Sequence, residues 1–259
     1  MRFARDQRVI YGANPLSEVI CQLRFSPLLA LSAQLPVDFQ QRIRAEYPML
    51  SIRSGITVQI VGQITPQAAA PDNTYIFTTS DSTWSVQVAK DSLSLTTTAY
   101  VRWEDFKLRW EFLLDHFWES YGPVSPTRIG LRYQDIIDRD THRLGDAPWS
   151  HWIKPPVLGV LADASCVDVE QHQAVTVLPL EEQSGHLLLR TGLISNAQTQ
   201  QLAYLIDSDF YAEFSASPTL EPNPISILAR LDRFNAEAGG LFRWCITDEL
   251  HSALMPTLV

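Results

Sequence analysis

The stretch that decides the fold is WEDFKLRWEFLLDHFWESY, running from Trp103 to Tyr121 and followed directly by Gly122 and Pro123. Phe106, Trp110, Leu113, Phe117 and Tyr121 recur at steps of four, three, four and four residues, the spacing of one face of an α-helix. Glu104, Lys107, Glu111 and Asp115 fall between them. The segment therefore predicts a helix that buries an aromatic stripe, and that stripe reads as core rather than as a cofactor box. Gly122 and Pro123 end it, because neither residue continues a helix well.

Immediately downstream the period changes from helical to two. From Pro126 to Ile137, Arg128, Gly130, Arg132 and Gln134 share one side of an extended chain, while Ile129, Leu131 and Tyr133 share the other. Upstream, Ile56 to Ile64, Thr74 to Thr79, Thr83 to Ala89 and Ser92 to Thr98 read as a meander, rich in Thr, Val and aromatic residues. The later links are too short for a helical crossover, so the pairing is expected to be antiparallel. Further upstream, Val19, Cys21, Leu23 and Phe25 alternate in a strand, and Phe39, Ile43 and Tyr47 mark a short helix between Pro36 and Pro48.

Beyond Ile137, the segment 138–156 has no period and reads as a surface excursion. Gly159 to Ala162, Cys166 to Gln171, Ala174 to Leu180, His186 to Thr191 and Ala203 to Phe214 then read as strands. A closing helix is expected with Asn223 as N-cap and Pro224 in its first turn. The pair Gly239-Gly240 is expected to kink or divide it, ahead of a second ladder at Phe242, Ile246, Leu250 and Leu254. The fold class predicted is α+β, with largely antiparallel sheet segments packed against long amphipathic helices. Residues 1–137 and 157–259 would be two similar halves joined by 138–156, an arrangement that one continuous domain also accommodates, although no residue string repeats.

Composition narrows the function classes. The chain has 259 residues, a formal charge of −9 and 46% hydrophobic residues, enough to build a core without a metal or disulfide staple. The acidic balance argues against nucleic acid or an anionic membrane as the main partner. Of the 20 basic residues only Lys90, Lys107 and Lys154 are lysines, so positive charge sits mostly on guanidinium forks suited to carboxylates, phosphates or planar groups. Cys21, Cys166 and Cys245 are odd in number and far apart, which fits reduced thiols rather than a disulfide scaffold. With no signal-peptide core and no membrane-length apolar run, a cytoplasmic location is expected.

Few polar constellations suggest chemistry. Arg128 and Arg132 lie on one strand face with Gly130 between them, and successive same-face residues are about 6 to 7 Å apart. They are candidate anion-binding residues, unless carboxylates such as Asp135, Asp138 or Glu104 neutralise them. Trp149 and Trp152 would line a lid or a partner surface. Asp207 and Asp209 share a side if extended and would hold a divalent metal given a third oxygen ligand; the competing reading makes them a solvated edge, a turn or partners of the arginine strand. Asp163, Asp168 and Glu170 formally allow paired-carboxylate chemistry, and His142, His151 and Asp146 a loop site. No phosphate loop, dinucleotide fingerprint or nucleophile elbow occurs, so no catalytic residue is assigned and no cofactor is expected.

Taken together, Asn14-Pro15-Leu16-Ser17-Glu18-Val19, Tyr100-Val101-Arg102-Trp103-Glu104-Asp105-Phe106, Arg128-Ile129-Gly130-Leu131-Arg132-Tyr133 and the late helix from Phe242 to Leu250 resemble a sporadically distributed, uncharacterised family of bacterial proteins of about this length. The resemblance implies an accessory role such as defence or regulation and carries over no site residue. The leading expectation is a non-enzymatic interaction or ligand-sensing protein that takes a protein or small anionic ligand, with an exposed sheet edge available for a homo-oligomer. The alternative is a metal-dependent hydrolase or nucleotide-processing enzyme built on Asp207 and Asp209. A nucleic-acid-associated regulator comes third, because it needs a basic stripe despite the acidic total.

Overall fold

Period-two alternation builds one large antiparallel sheet. The computed structural model describes residue 3 and residues 8–55, 72–166, 169–181, 185–195, 201–214 and 224–258. In chain order the elements are β1 (Val9–Tyr11), β2 (Leu16–Phe25), α1 (Leu29–Ala33), α2 (Val37–Ile43), β3 (Met49–Gly55), β4 (Asp72–Thr78), β5 (Trp84–Ala89), β6 (Ser92–Thr97) and α3 (Trp103–Tyr121). They continue with β7 (Pro126–Ile137), α4 (Trp149–Trp152), α5 (Pro155–Leu158), β8 (Gln173–Pro179), β9 (His186–Ser195), β10 (Leu202–Glu213), α6 (Pro224–Cys245), α7 (Asp248–Ala253) and β11 (Pro256–Leu258).

Nine strands pair in the order β3-β4-β5-β6-β2-β7-β10-β9-β8, and β1 pairs with β11 as a separate ribbon. The last strand of each meander returns beside the strand that precedes the helices: β6 lies against β2, and β10 against β7. Those two opening strands, β2 and β7, pair with each other at the centre, with Cys21 opposite Leu131 and Ile20 opposite Arg132.

Alternation fixes which face each residue serves. On β7, Ile129, Leu131, Tyr133, Asp135 and Ile137 are buried on the face that packs the helices. Phe25 and Phe39 meet Phe117 at ring-centroid distances of 5.3 and 5.8 Å, Trp84 meets Phe106 at 5.7 Å, and Phe210 meets Phe234 at 6.3 Å. These contacts place α2, α3 and α6 on that one face. Burial of such aromatic side chains is the main source of stability here, at roughly 25 cal/mol for each Å² of apolar surface removed from water. A carboxylate ties the two longest helices together: Asp232 of α6 accepts from Trp103 Nε1 at 2.8 Å and from Lys107 Nζ at 2.8 Å.

Several local expectations fall differently. Residues 239 and 240 lie inside α6, which continues unbroken to Cys245. The break comes at Thr247, whose hydroxyl accepts from the Leu250 amide at 3.2 Å and caps α7. Glycine lowers helix propensity by about 1 kcal/mol, a cost that the buried Ile227, Leu231, Phe234 and Leu241 outweigh. Gly159–Ala162, expected as a strand, is a 3-10 turn that follows α5, and Trp149–Trp152 in the aperiodic segment is a short helix. Expectations at Ile56 to Ile64, Asp168 and Asn223 lie outside the described residues. Among the described residues no helix is long and apolar enough to cross a membrane.

Candidate functional site

The anticipated arginine strand and the anticipated acidic pair meet. They are neighbours on β7 and β10, and both face away from the helices. Arg132 donates through Nε and Nη2 to the two carboxylate oxygens of Asp207 at 2.6 and 2.8 Å, and Arg190 of β9 adds a third contact at 3.3 Å. Arg128 donates to Asp209 at 2.7 Å while lying 4.7 Å from the centre of the Tyr211 ring. Bidentate guanidinium pairs of this kind are the strong class of charged hydrogen bond, and they raise the Arg132 guanidinium further above its ordinary value. Gly130 has a local purpose: a Cβ there would come within 2.8 Å of Arg128 Nη1.

This geometry leaves little for a ligand to use. Asp207 is 2% exposed at its side chain and its oxygens are taken up by guanidinium donors. No group of three or more His, Cys, Asp or Glu that could hold a metal occurs among the described residues. An open cleft of about 580 Å³ at the end of β7 carries Arg24 and Arg128 but also Asp91 and Glu213, so its formal charges balance. Trp149 and Trp152 are not beside the arginines. Trp149 packs on Tyr204, a helical-face residue, at 5.6 Å and holds Arg139 at 4.3 Å from its ring centre, while Trp152 is 9% exposed within the core. Arg128 and Arg132 therefore lie on the opposite side of the sheet from both tryptophans. His142, anticipated in a loop site, is buried in its own turn, with Nδ1 accepting from the Asp138 amide at 3.1 Å.

A different place has the shape of a binding site. Between β7 and β10 on one side and α6, the start of α3 and the β1/β11 ribbon on the other lies a cavity of about 760 Å³. Its aromatic walls are Tyr11, Tyr100, Trp103, Tyr133 and Phe242. Tyr133 donates to Asn235 Oδ1 of α6 at 3.0 Å and meets the Tyr100 ring edge-on at 5.9 Å. Tyr11 and His251 share a hydrogen bond of 2.9 Å. Burial pushes the Tyr100 hydroxyl up to about 12 and Tyr133 well above its ordinary value, so both remain protonated donors.

Charge is distributed unequally around this cavity. Arg8 is held by Glu104 at 2.7 Å, Arg102 by Asp105 at 2.9 Å, and Arg243 by Asp248. Arg8 in turn draws the Glu104 carboxyl down to about 2. Asp135, projecting from β7 into the cavity, is 5% exposed and has no ion pair or hydrogen bond to its side chain among the described residues. Burial, with the Asp207 charge behind the sheet as a smaller cause, pushes its carboxyl up to about 8. An ionisable group shifted by burial and lining a cavity is the combination that marks ligand and proton-transfer sites.

The alternation of β7 carries a sequence signal for Asp135. Extending the apolar side of β7 from Ile129, Leu131 and Tyr133 by one more step places a carboxyl on the buried face. Asp135 is no partner for Arg128 or Arg132, because its side chain stands on the other face from both. Comparison with known proteins finds no family model that matches the chain and no curated protein similar to it.

Proposed function

We propose that the protein is a ligand sensor that holds a small molecule in the cavity framed by β7, β10, α6 and the β1/β11 ribbon. The observation that carries this reading is Asp135, a buried carboxyl without a partner among the described residues, at the wall of a cavity of about 760 Å³. That volume is within the range of about 300 to 1,000 Å³ typical of small-molecule sites. A buried polar group is costly unless something hydrogen-bonds to it, and a ligand is the natural candidate for that role. The cavity spans the sheet, its longest helix and the terminal ribbon, so a bound molecule would couple them, as a sensor requires. The accessory regulatory or defence role implied by the resemblance belongs to this proposal. So do two similar halves meeting at β2 and β7, a reading supported by the matching return of β6 and β10. Self-association along β8, where Val175 and Val177 are exposed, belongs to it too.

A metal-dependent hydrolase built on Asp207 and Asp209 draws no support from this geometry, because guanidinium groups already occupy both carboxylates. A small anionic ligand on Arg128 and Arg132 has the same difficulty, since it would have to displace internal partners.

Native mass spectrometry of the freshly purified full chain tests the sensor reading. The expected result is a mass increment that is lost on unfolding. Gly239 lines the cavity, and a Cβ added there meets no heavy atom within 4 Å. Gly239→Leu should therefore fold and lose the increment. A bare chain mass, with no member of a fragment library detected by ligand-observed NMR, would overturn the reading.

A further inference from the structure

We propose that the cavity selects a ligand with a cationic nitrogen, such as an amine, amidine or guanidine, on a flat apolar body, and that Asp135 is its counter-ion. The inference rests on the cavity being a binding site and adds the class of molecule it takes. Three observations carry it. The guanidinium groups around the cavity are already matched, Arg8 with Glu104, Arg102 with Asp105 and Arg243 with Asp248, which leaves Asp135 as the acidic group without a cation. The walls are aromatic, and ring faces attract cations as well as flat apolar surfaces. Asn235 Oδ1 already accepts from Tyr133, and the hydroxyls of Tyr100 and Tyr133 stay protonated, so the cavity also offers hydrogen bonds to a polar edge of the ligand.

The groups facing Asp135 define its titration. Tyr133 stands beside it on β7, Asp207 of β10 lies behind it through the sheet, and Cys245 of α6 lies close enough to feel its charge. Arg8, Tyr11, Arg102, Arg243 and His251 lie further round the same cavity. With no cation holding it, the carboxyl keeps its proton to about pH 8. An amidine bound as an ion pair therefore displaces that proton. The step is a proton transfer from Asp135 to solvent accompanied by formation of two N–H···O bonds, with no covalent change in the ligand. Affinity should then rise about tenfold for each pH unit between 6 and 7.5 and level off above 8, because proton release and binding are linked.

The test uses three matched probes, 2-naphthamidine, 2-naphthamide and 2-naphthoate, measured by calorimetry with the full chain. Titrations in two buffers of different ionisation enthalpy count the protons exchanged. The amidine is expected to bind at least tenfold more tightly than the amide at pH 8 and to release close to one proton per molecule bound at pH 7. Asp135→Asn, checked for folding by circular dichroism, should lose both the preference and the proton release while keeping amide binding. If the amide or the carboxylate binds as well as the amidine, or if the amidine binds without proton release, the cationic assignment fails and the binding cavity stands. If none of the three binds up to about 1 mM, weaker than roughly −4 kcal/mol, the cationic assignment fails together with the site for flat apolar molecules on which it rests.

Discussion

Arg132 stands directly opposite Asp209 in the β7/β10 register yet bonds through both Nε and Nη2 to Asp207, opposite Gln134. Arg128, opposite Glu213, likewise reaches diagonally to Asp209. Arg132 is displaced by one same-face step and Arg128 by two, both toward the C-terminal end of β7. The reach suits the long arginine side chain, since even the single diagonal step made by Arg132 spans about 7 to 8 Å.

Asp207 is the anchor of this array, and its loss should be severe. Asp207→Ala leaves Arg132 and Arg190 without their acceptor in a site where the carboxylate was 2% exposed, a change expected to cost about 3 to 5 kcal/mol. Arg190→Ala, at 43% exposure and 3.3 Å, should cost no more than about 1 kcal/mol. Replacing both partners of the closest pair in the array, Arg132→Leu at a half-buried position with Asp207→Val at a buried one, should recover much of the loss. Urea unfolding at pH 7 ranks the three variants, and equal effects from Asp207→Ala and Arg190→Ala would show that the array does not carry stability.

Gly130 should matter only through Arg128. An added Cβ would meet Arg128 Nη1 at 2.8 Å and Asp209 Oδ1 at 3.3 Å, so Gly130→Ala should push the guanidinium off its carboxylate. Because the obstructing atom ends a flexible side chain, the cost is at most one charged hydrogen bond, about 1.5 to 3 kcal/mol. In an Arg128→Ala background the same substitution should cost nothing or stabilise the strand. A double-mutant cycle checks this, and a cost for Gly130→Ala that persists without Arg128 would place its cause in the backbone.

Asp135 should make the protein less stable as pH rises. The native carboxyl keeps its proton to about pH 8, whereas its ordinary value is 3.8. Between these points the native state holds more protons than the unfolded chain, so stability is full below about pH 4, falls through the window and is flat above about pH 8. At about 1.4 kcal/mol per pH unit the loss is on the order of 5 kcal/mol. Asp209, raised chiefly by burial against the pull of Arg128, contributes with the same sign. Asp135→Asn should match the parent near pH 4 and exceed it at pH 9, measured by urea midpoints across the range. A parent chain that gains stability from pH 5 to 8, or an Asn variant with the same slope, would refute the assignment.

The legible features were those that repeat locally. The aromatic ladder of α3 and the alternation of β7 specify an element without reference to any other, and both elements occupy the residues expected of them. The order of the sheet depends on pairings between distant residues, as when Ile20 comes to lie opposite Arg132, and no local pattern encodes that choice. The arginine pair, four residues apart, and the aspartate pair, two apart, stood out in the sequence because like charges on one face of a strand are conspicuous. Their partnership stayed open because register across β7 and β10 could not be read. Asp135 was hidden for the opposite reason: one carboxyl at the end of an apolar alternation looks like a partner for the nearby arginines until the helix and ribbon that cover its face are known. At residues 239 and 240 local propensity pointed to a break, and tertiary packing carried the helix through.

The three cysteines should report which parts of this architecture open. Cys21 lies at the centre of the sheet and Cys245 at the end of α6, both fully buried, and burial pushes both thiols well above the ordinary thiol range. Cys166 is exposed. Because the thiolate is the reacting species, iodoacetamide at pH 8 should modify the native chain once, at Cys166, and the urea-unfolded chain three times. Slow labelling of Cys245 without Cys21 would mean that the end of α6 lifts from the sheet while the sheet remains closed. A ligand seated between the sheet and α6 binds the closed state, so it should slow that labelling and leave the rate at Cys166 unchanged. Peptide mass mapping over time separates the three sites, and equal rates at Cys21 and Cys245 would show that the end of α6 opens only when the whole protein unfolds.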